Sequence, residues 1–196
     1  INRNYCMTEK LVTSVRFVEK DVTFKFCGFN ITPFEVPHDG TDNVGYHIEV
    51  GGTVFCFVTD LGHITEKVSS YIEKANYLIL EANYDEEMLK GGHYPKFLKE
   101  RITSPLGHLS NKTTAKFLAE HITEDLKYVW LCHLSGENNH PELAYKTVEY
   151  ELRGVGVIPG VDVQVAALKR NSPSELYEFE LSEYYKQFCE NLSTNF

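Results

Sequence analysis

Three stretches of this chain each place a potential metal ligand directly after an apolar run: Phe34-Glu35-Val36-Pro37-His38-Asp39, Phe57-Val58-Thr59-Asp60-Leu61-Gly62 and Trp130-Leu131-Cys132-His133-Leu134-Ser135. Loops at strand ends can hold reactive groups on a rigid scaffold. Two imidazoles and a carboxylate, His38, His133 and Asp60, suit zinc, or manganese if more oxygen ligands join. Taken singly, each has a plainer reading. A lone histidine after a strand is more often a surface or hydrogen-bonded core residue, and Asp-Leu-Gly is an ordinary turn former. Cys132 lies beside His133 and could be a nucleophile, but its apolar strand favours simple packing.

The elements that must position these groups follow from periodicity. Val15–Val18 and Val22–Phe26 are β-branched and aromatic runs that alternate with polar residues, which predicts strands of a half-buried sheet between Val12 and Val36. Residues 45–50 and 53–58 flank Gly51-Gly52, a pair that tolerates positive φ and predicts a tight hairpin. Ile64, Val68, Tyr71, Ile72 and Ala75 fall at helical spacing, and Tyr77–Leu80 is an apolar run suited to a strand buried on both faces. Helices are expected over 85–89, 96–102, 114–121 and from Pro141 to Leu152, with strands at Tyr128–Cys132 and Val161–Leu168. Hairpins followed by helix-strand alternation predict a layered α/β protein.

A chain of 196 residues with 42% hydrophobic content can bury one substantial core. Its formal charge of −9 argues against nucleic-acid binding through a broad basic surface, because such affinity comes from neutralised phosphates. Any such attraction must be local. Lys96, Lys99 and Arg101 form one small basic cluster and Lys112 and Lys116 another, although lysines of this kind are commonly the solvated face of a helix. The five cysteines, Cys6, Cys27, Cys56, Cys132 and Cys189, are scattered and form no C-x-x-C pair, which fits reduced thiols and a cytoplasmic setting. No long apolar run or signal-peptide pattern is present, so no membrane partner is expected.

Several motifs in order carry a resemblance: Pro-His-Asp before the hairpin, Val-Thr-Asp-Leu-Gly after it, Leu-Ile-Leu-Glu-Ala-Asn, Gly107-His108-Leu109-Ser110-Asn111, and Leu-Cys-His-Leu-Ser followed by Asn138-Asn139. From about Met7 to Leu168 the chain resembles metallo-β-lactamase-fold hydrolases of the YycJ/WalJ nuclease type, relatives of ribonuclease Z. The resemblance implies an α/β (α+β) fold, the αββα sandwich, incomplete at its N-terminus. Residues 1–170 would be the C-terminal portion of one such domain and 171–196 a tail. It also implies that His38 binds one metal, Asp60 bridges two, His133 binds the second, and His108 donates a proton to the leaving oxygen.

Such enzymes carry an early H-x-H-x-D-H run, and none of the eight histidines lies in one. Met7-Thr8-Glu9-Lys10 resembles the segment that follows it, so the chain is expected to be truncated, with about two ligands per metal and weak binding by itself. Missing strands would leave an apolar face open to self-association. Two divalent ions, zinc or manganese, would serve a phosphodiester hydrolase, a DNA exonuclease acting from a 5′ end. Ser135, Asn138 and Asn139 could donate hydrogen bonds to a phosphate, while Glu81 and Asn83 could orient the ligands. For Glu81, a buried carboxylate stapling the sheet is an equal alternative. His63, His93, His121 and His140 have no motif position and are read as structural. The competing functions are hydrolysis of a lactam, lactone or thioester on the same scaffold, and a non-catalytic binding module.

Overall fold

The computed structural model describes residues 16–179. Seven strands form one mixed sheet in chain order: β1 (Phe24–Phe26), β2 (Phe29–Glu35), β3 (Val44–Val50), β4 (Thr53–Val58), β5 (Tyr77–Glu81), β6 (Tyr128–Cys132) and β7 (Gln164–Ala167). β1 to β4 are antiparallel neighbours, and β4 to β7 run parallel. The change occurs where hairpins give way to helical crossovers, which parallel strands require. Gly51 and Gly52 take φ of 57° and 78° between the paired residues Val50 and Thr53, as a two-residue hairpin turn demands.

Helix α1 (Glu66–Ile72) joins β4 to β5, while α2 (Glu86–Gly91), α3 (Lys96–Ile102) and α4 (Asn111–His121) lie between β5 and β6; α5 (Pro141–Gly154) leads to β7. Their starts follow local chemistry. Thr65, Asp85 and Ser110 cap α1, α2 and α4 by accepting backbone N–H bonds, and His140 with Pro141 opens α5. Capping by Ser110 explains why α4 begins at Asn111 rather than at Thr114.

Alternation along the strands sends Cys56, Val58, Leu78, Leu80, Val129 and Leu131 into one buried cluster with Val68 and Ile72 of α1, Ala115 and Leu118 of α4, and Ala144, Val148 and Leu152 of α5. On the other face, Phe55, Tyr77 and Trp130 meet Phe179, and Tyr177 packs edge-on to Tyr128 and Trp130. Trp130 is thereby 5% exposed, whereas Phe57 remains 38% exposed. Among the described residues no helix is long and apolar enough to cross a membrane.

The edge differs from expectation. Residues 16–18 form no strand, and the strand expected over Val22–Phe26 shrinks to Phe24–Phe26. A turn explains the difference: Val22 N–H bonds Glu19 O, and Asp21 takes φ 64° while its N–H bonds Pro33 O. The last strand likewise shortens to Gln164–Ala167. Met7–Lys10, Val12, Val15, Cys6, Cys189 and the end of the tail lie outside the described residues.

Cys56 and Cys132 are buried free thiols, and burial pushes each up to about 12. For Cys132 the nearby Glu81 and Asp60 add to burial, so a thiolate nucleophile there is disfavoured. Alkylation of the native protein followed by peptide mapping should label the exposed Cys27 well before Cys56 or Cys132. Early labelling at Cys132 would contradict this packing.

Candidate metal centre

The parallel register aligns Val58 with Leu80 and Leu80 with Leu131, so the C-terminal ends of β4, β5 and β6 stand side by side. Open α/β sheets present ligand sites at this edge. Asp60 leaves β4 there, Glu81 ends β5, and His133 follows β6. Asp60 and His133 both adopt φ 55°, a left-handed conformation that non-glycine residues rarely take. Such strain collects where surrounding structure imposes a function on the backbone.

Glu81, 0% exposed, organises the rim. Its Oε1 accepts from His108 Nδ1 at 2.9 Å and Leu109 N at 3.0 Å, and its Oε2 accepts from Asp60 N at 2.6 Å, Leu61 N at 3.3 Å and His133 Nδ1 at 3.0 Å. Burial, the largest single influence, would raise this carboxyl. The bonds and charges of His108 and His133 outweigh it and hold Glu81 below the usual carboxylate range. The bond to Glu81, first among its influences, raises His133 above the ordinary imidazole value against the opposing effect of burial, and the Asp60 charge adds to the rise.

His38 reaches the same place from the loop after β2. Its Nδ1 donates to Gly107 O at 2.8 Å, and its Nε2 lies 3.5 Å from Asp60 Oδ1. A Cβ on Gly107 would fall 2.2 Å from Ile102 O, so only glycine lets this carbonyl sit so tightly against α3. His133 Nδ1 lies 3.6 Å from the same Asp60 oxygen. The ring of His108 stands between the other two imidazoles, 4.8 Å from His38 and 5.1 Å from His133 between centroids.

Because carboxylate and carbonyl oxygens can only accept, the Nδ1 atoms of all three histidines must carry hydrogen, which leaves Nε2 as the open position of each. Histidines braced in this way by an oxygen acceptor are characteristic of metal sites. Asp60, Glu81, His108 and His133 each offer an atom within 4.8 Å of the others. Glu81 belongs to that group by distance, but both of its oxygens are filled by donors, and what it does here is brace His108 and His133. The free imidazole nitrogens and the half-exposed Asp60 carboxylate fit a borderline divalent cation.

Asn83 Nδ2 donates to His133 O at 2.7 Å and steadies the turn that presents His133. Asn138 and Asn139 are not brought to the open rim. Both are buried, and Asn139 Nδ2 is spent on Ala82 O, Asn83 O and Asn111 Oδ1. Ser135 is half-buried, and its Oγ accepts from Asn138 N at 3.2 Å. The basic residues on α3 are also partly committed. Lys99 Nζ bonds Lys90 O and Gly92 O at 2.7 Å, and Arg101 makes a two-pronged pair with Asp39, Nη2 to Oδ1 at 2.9 Å. This pair, beside His38, had no sequence signal because its partners lie far apart in the chain. His63, His121 and His140 bond Pro105 O, Glu73 and the start of α5.

A family model described as the beta-lactamase superfamily domain matches residues 2–129. The chain belongs to that superfamily. Among superfamily relatives it is 35% identical over 134 residues to the exodeoxyribonuclease YycJ of Bacillus anthracis, across 67% of this chain and 51% of the relative. It is 34% identical over 160 residues to the exodeoxyribonuclease WalJ of Streptococcus pneumoniae serotype 2, across 82% of this chain and 60% of the relative. The chain therefore spans about half to three-fifths of the length of these curated relatives. The metallo-beta-lactamase fold protein YhfI from Bacillus subtilis superposes with a TM-score of 0.53 at 16% identity, covering 78% of this chain and 52% of that one. The mixed sheet with its helices has the superfamily's fold.

Proposed function

We propose that this chain carries part of the active site of a metal-dependent exodeoxyribonuclease that attacks DNA from a 5′ end. The arrangement that carries the reading is Asp60 between His38 and His133, with His108 and His133 braced by one buried glutamate. His38 and His133 would hold two divalent ions, zinc or manganese, with Asp60 shared. When bound, such ions lower the pKa of a water and neutralise charge building on a phosphoryl oxygen.

The chain's own residues would do the rest. Glu81 accepts Nδ1–H of His108 and fixes the ring, so a proton held at Nε2 is the one available to a departing oxygen. Ser135, half-buried beside His133, is the candidate phosphate contact that this reading keeps, and the burial of Asn138 and Asn139 speaks against the same role for them. With two protein ligands per ion where three are usual, metal binding by this chain alone should be weak. The reading includes residues 1–170 as the C-terminal portion of one domain with 171–196 as a tail, a cytoplasmic setting, and self-association through the sheet face that exposes Phe57.

The test compares this chain with a protein extended upstream through any H-x-H-x-D-H run. Metal content and degradation of labelled duplex DNA are measured on both, with zinc or manganese. Two metals and DNA degradation in the extended protein alone are the expected outcome. Tight stoichiometric binding by the shorter chain would contradict the ligand count, and no activity in either would end the nuclease reading in favour of lactone or thioester substrates.

A further inference from the structure

Two cavities open beside the candidate centre. One, of about 480 Å³, is lined by His63, Tyr84, Thr103, His108 and Lys116 among others. The second, of about 450 Å³, is lined by Tyr84, Glu86, Lys90, Lys96 and Thr103 among others. Tyr84 and Thr103 line both, so the two cavities adjoin at these residues, the first holding His108 and the second residues of α2 and α3, and together they are treated as one groove. Along α3, Lys96, Lys99, Glu100 and Thr103 recur at one helical face and form its wall.

The charges along the groove differ from those of the whole molecule. The chain carries −9 overall, yet Lys116 lines the cavity that holds His108, and Lys90, Lys96 and Lys99 line the adjoining one, against Glu120, Glu86 and Glu100. Lys96 and Lys90 are 89% and 79% exposed, and their contacts to Glu100 and Glu87, at 3.5 and 3.9 Å, are surface pairs that hold an ammonium only weakly. Glu86 is occupied in accepting from Ser110 Oγ. His63 Nδ1 is anchored on Pro105 O, leaving Nε2 outside that contact, and Thr103 adds a hydroxyl at the join. Glu120 is the opposing charge in the first cavity.

We propose that this groove holds the backbone of a single DNA strand leading to or from the reacting phosphodiester, with Lys116, Lys96 and Lys90 pairing with successive phosphates. Channels that bind single strands without reading sequence use a positively charged groove that tracks the backbone, usually joined by aromatic side chains on which bases stack. The proposal rests on the nuclease reading for its substrate, but binding can be measured without catalysis.

The experiment measures anisotropy of a short labelled single-stranded DNA with this chain in a metal chelator, across a salt series. The triple variant Lys90→Ala, Lys96→Ala, Lys116→Ala is expected to bind more weakly, and its plot of log affinity against log salt should flatten by about 2, roughly 0.7 for each lost phosphate contact. Lys127→Ala, just before β6 at the opposite end of the sheet, should match the unaltered chain. An unchanged slope in the triple variant, an equal loss with Lys127→Ala, or no binding by the unaltered chain would each overturn the groove. DNA degradation by the extended protein is scored separately. If it persists while the slope is unchanged, only the groove falls.

Discussion

Glu81→Ala should lower the melting temperature by roughly 6–20 °C, from about 3–5 kcal/mol lost on breaking a buried charged network and about 2–4 °C per kcal/mol in a protein of this size. The loss is large because one carboxylate satisfies Asp60 N, Leu61 N, Leu109 N and two imidazoles, all of which would be left unpaired near the core. Glu81→Gln keeps the volume but puts N–H groups against donors. It should fold and bind zinc about 10- to 100-fold more weakly, as expected when the group bracing ligands is disturbed. Melting curves and calorimetric zinc titration of the two variants check this. A melting temperature unchanged in the alanine variant would show that these hydrogen bonds contribute little.

The sign of the pH dependence follows from the same residues. The carboxyl of Glu81 is held low in the folded chain, so its stabilisation is present at neutral pH and is lost as pH falls through the folded value. His133 is raised, so its contribution is present in acid and is lost as pH rises through its folded value. Without added metal, stability should therefore be greatest in the interval between the two. Metal requires the neutral imidazole, so binding should release protons throughout that interval and cease to do so as pH rises past the folded value of His133.

His108→Ala in the extended protein should slow DNA cleavage by about 10²- to 10⁴-fold, the usual contribution of a positioned proton donor, while two metals remain bound. The argument rests on position. His108 stands between His38 and His133, yet its Nδ1 donates to Glu81 Oε1, the oxygen that also accepts from Leu109 N, rather than to Asp60. Rate and metal content must be measured together. Loss of metal along with activity would make His108 a ligand, and an unchanged rate would remove it from the chemistry.

Much of this arrangement was legible in the sequence because it depends on local rules. Gly51-Gly52 marked the hairpin of β3 and β4, continuous apolar runs marked β5 and β6, and each candidate ligand followed an apolar run. What the sequence left open was set by contacts between distant segments. Glu81 had two equal readings because its donors at residues 60, 61, 108, 109 and 133 follow no spacing. The structure gives it both roles at once, since the carboxylate that staples the strand ends also braces the histidines. Asn138 and Asn139 looked like available amides because they follow a candidate ligand, but loop closure turns them inward. Arg101 and Lys99 counted as free charge until Asp39 and the carbonyls of Lys90 and Gly92 were found to hold them.

The left-handed backbone at Asp60 has a consequence for how this site can change over time. Asparagine and glycine tolerate that conformation as well as aspartate or better, so either could replace Asp60 without disturbing the turn. Folding therefore offers no protection to the carboxylate. A lineage that stopped needing the reaction could shed its negative charge in one substitution and keep its shape, leaving an intact scaffold whose loss of chemistry would escape any measure of stability.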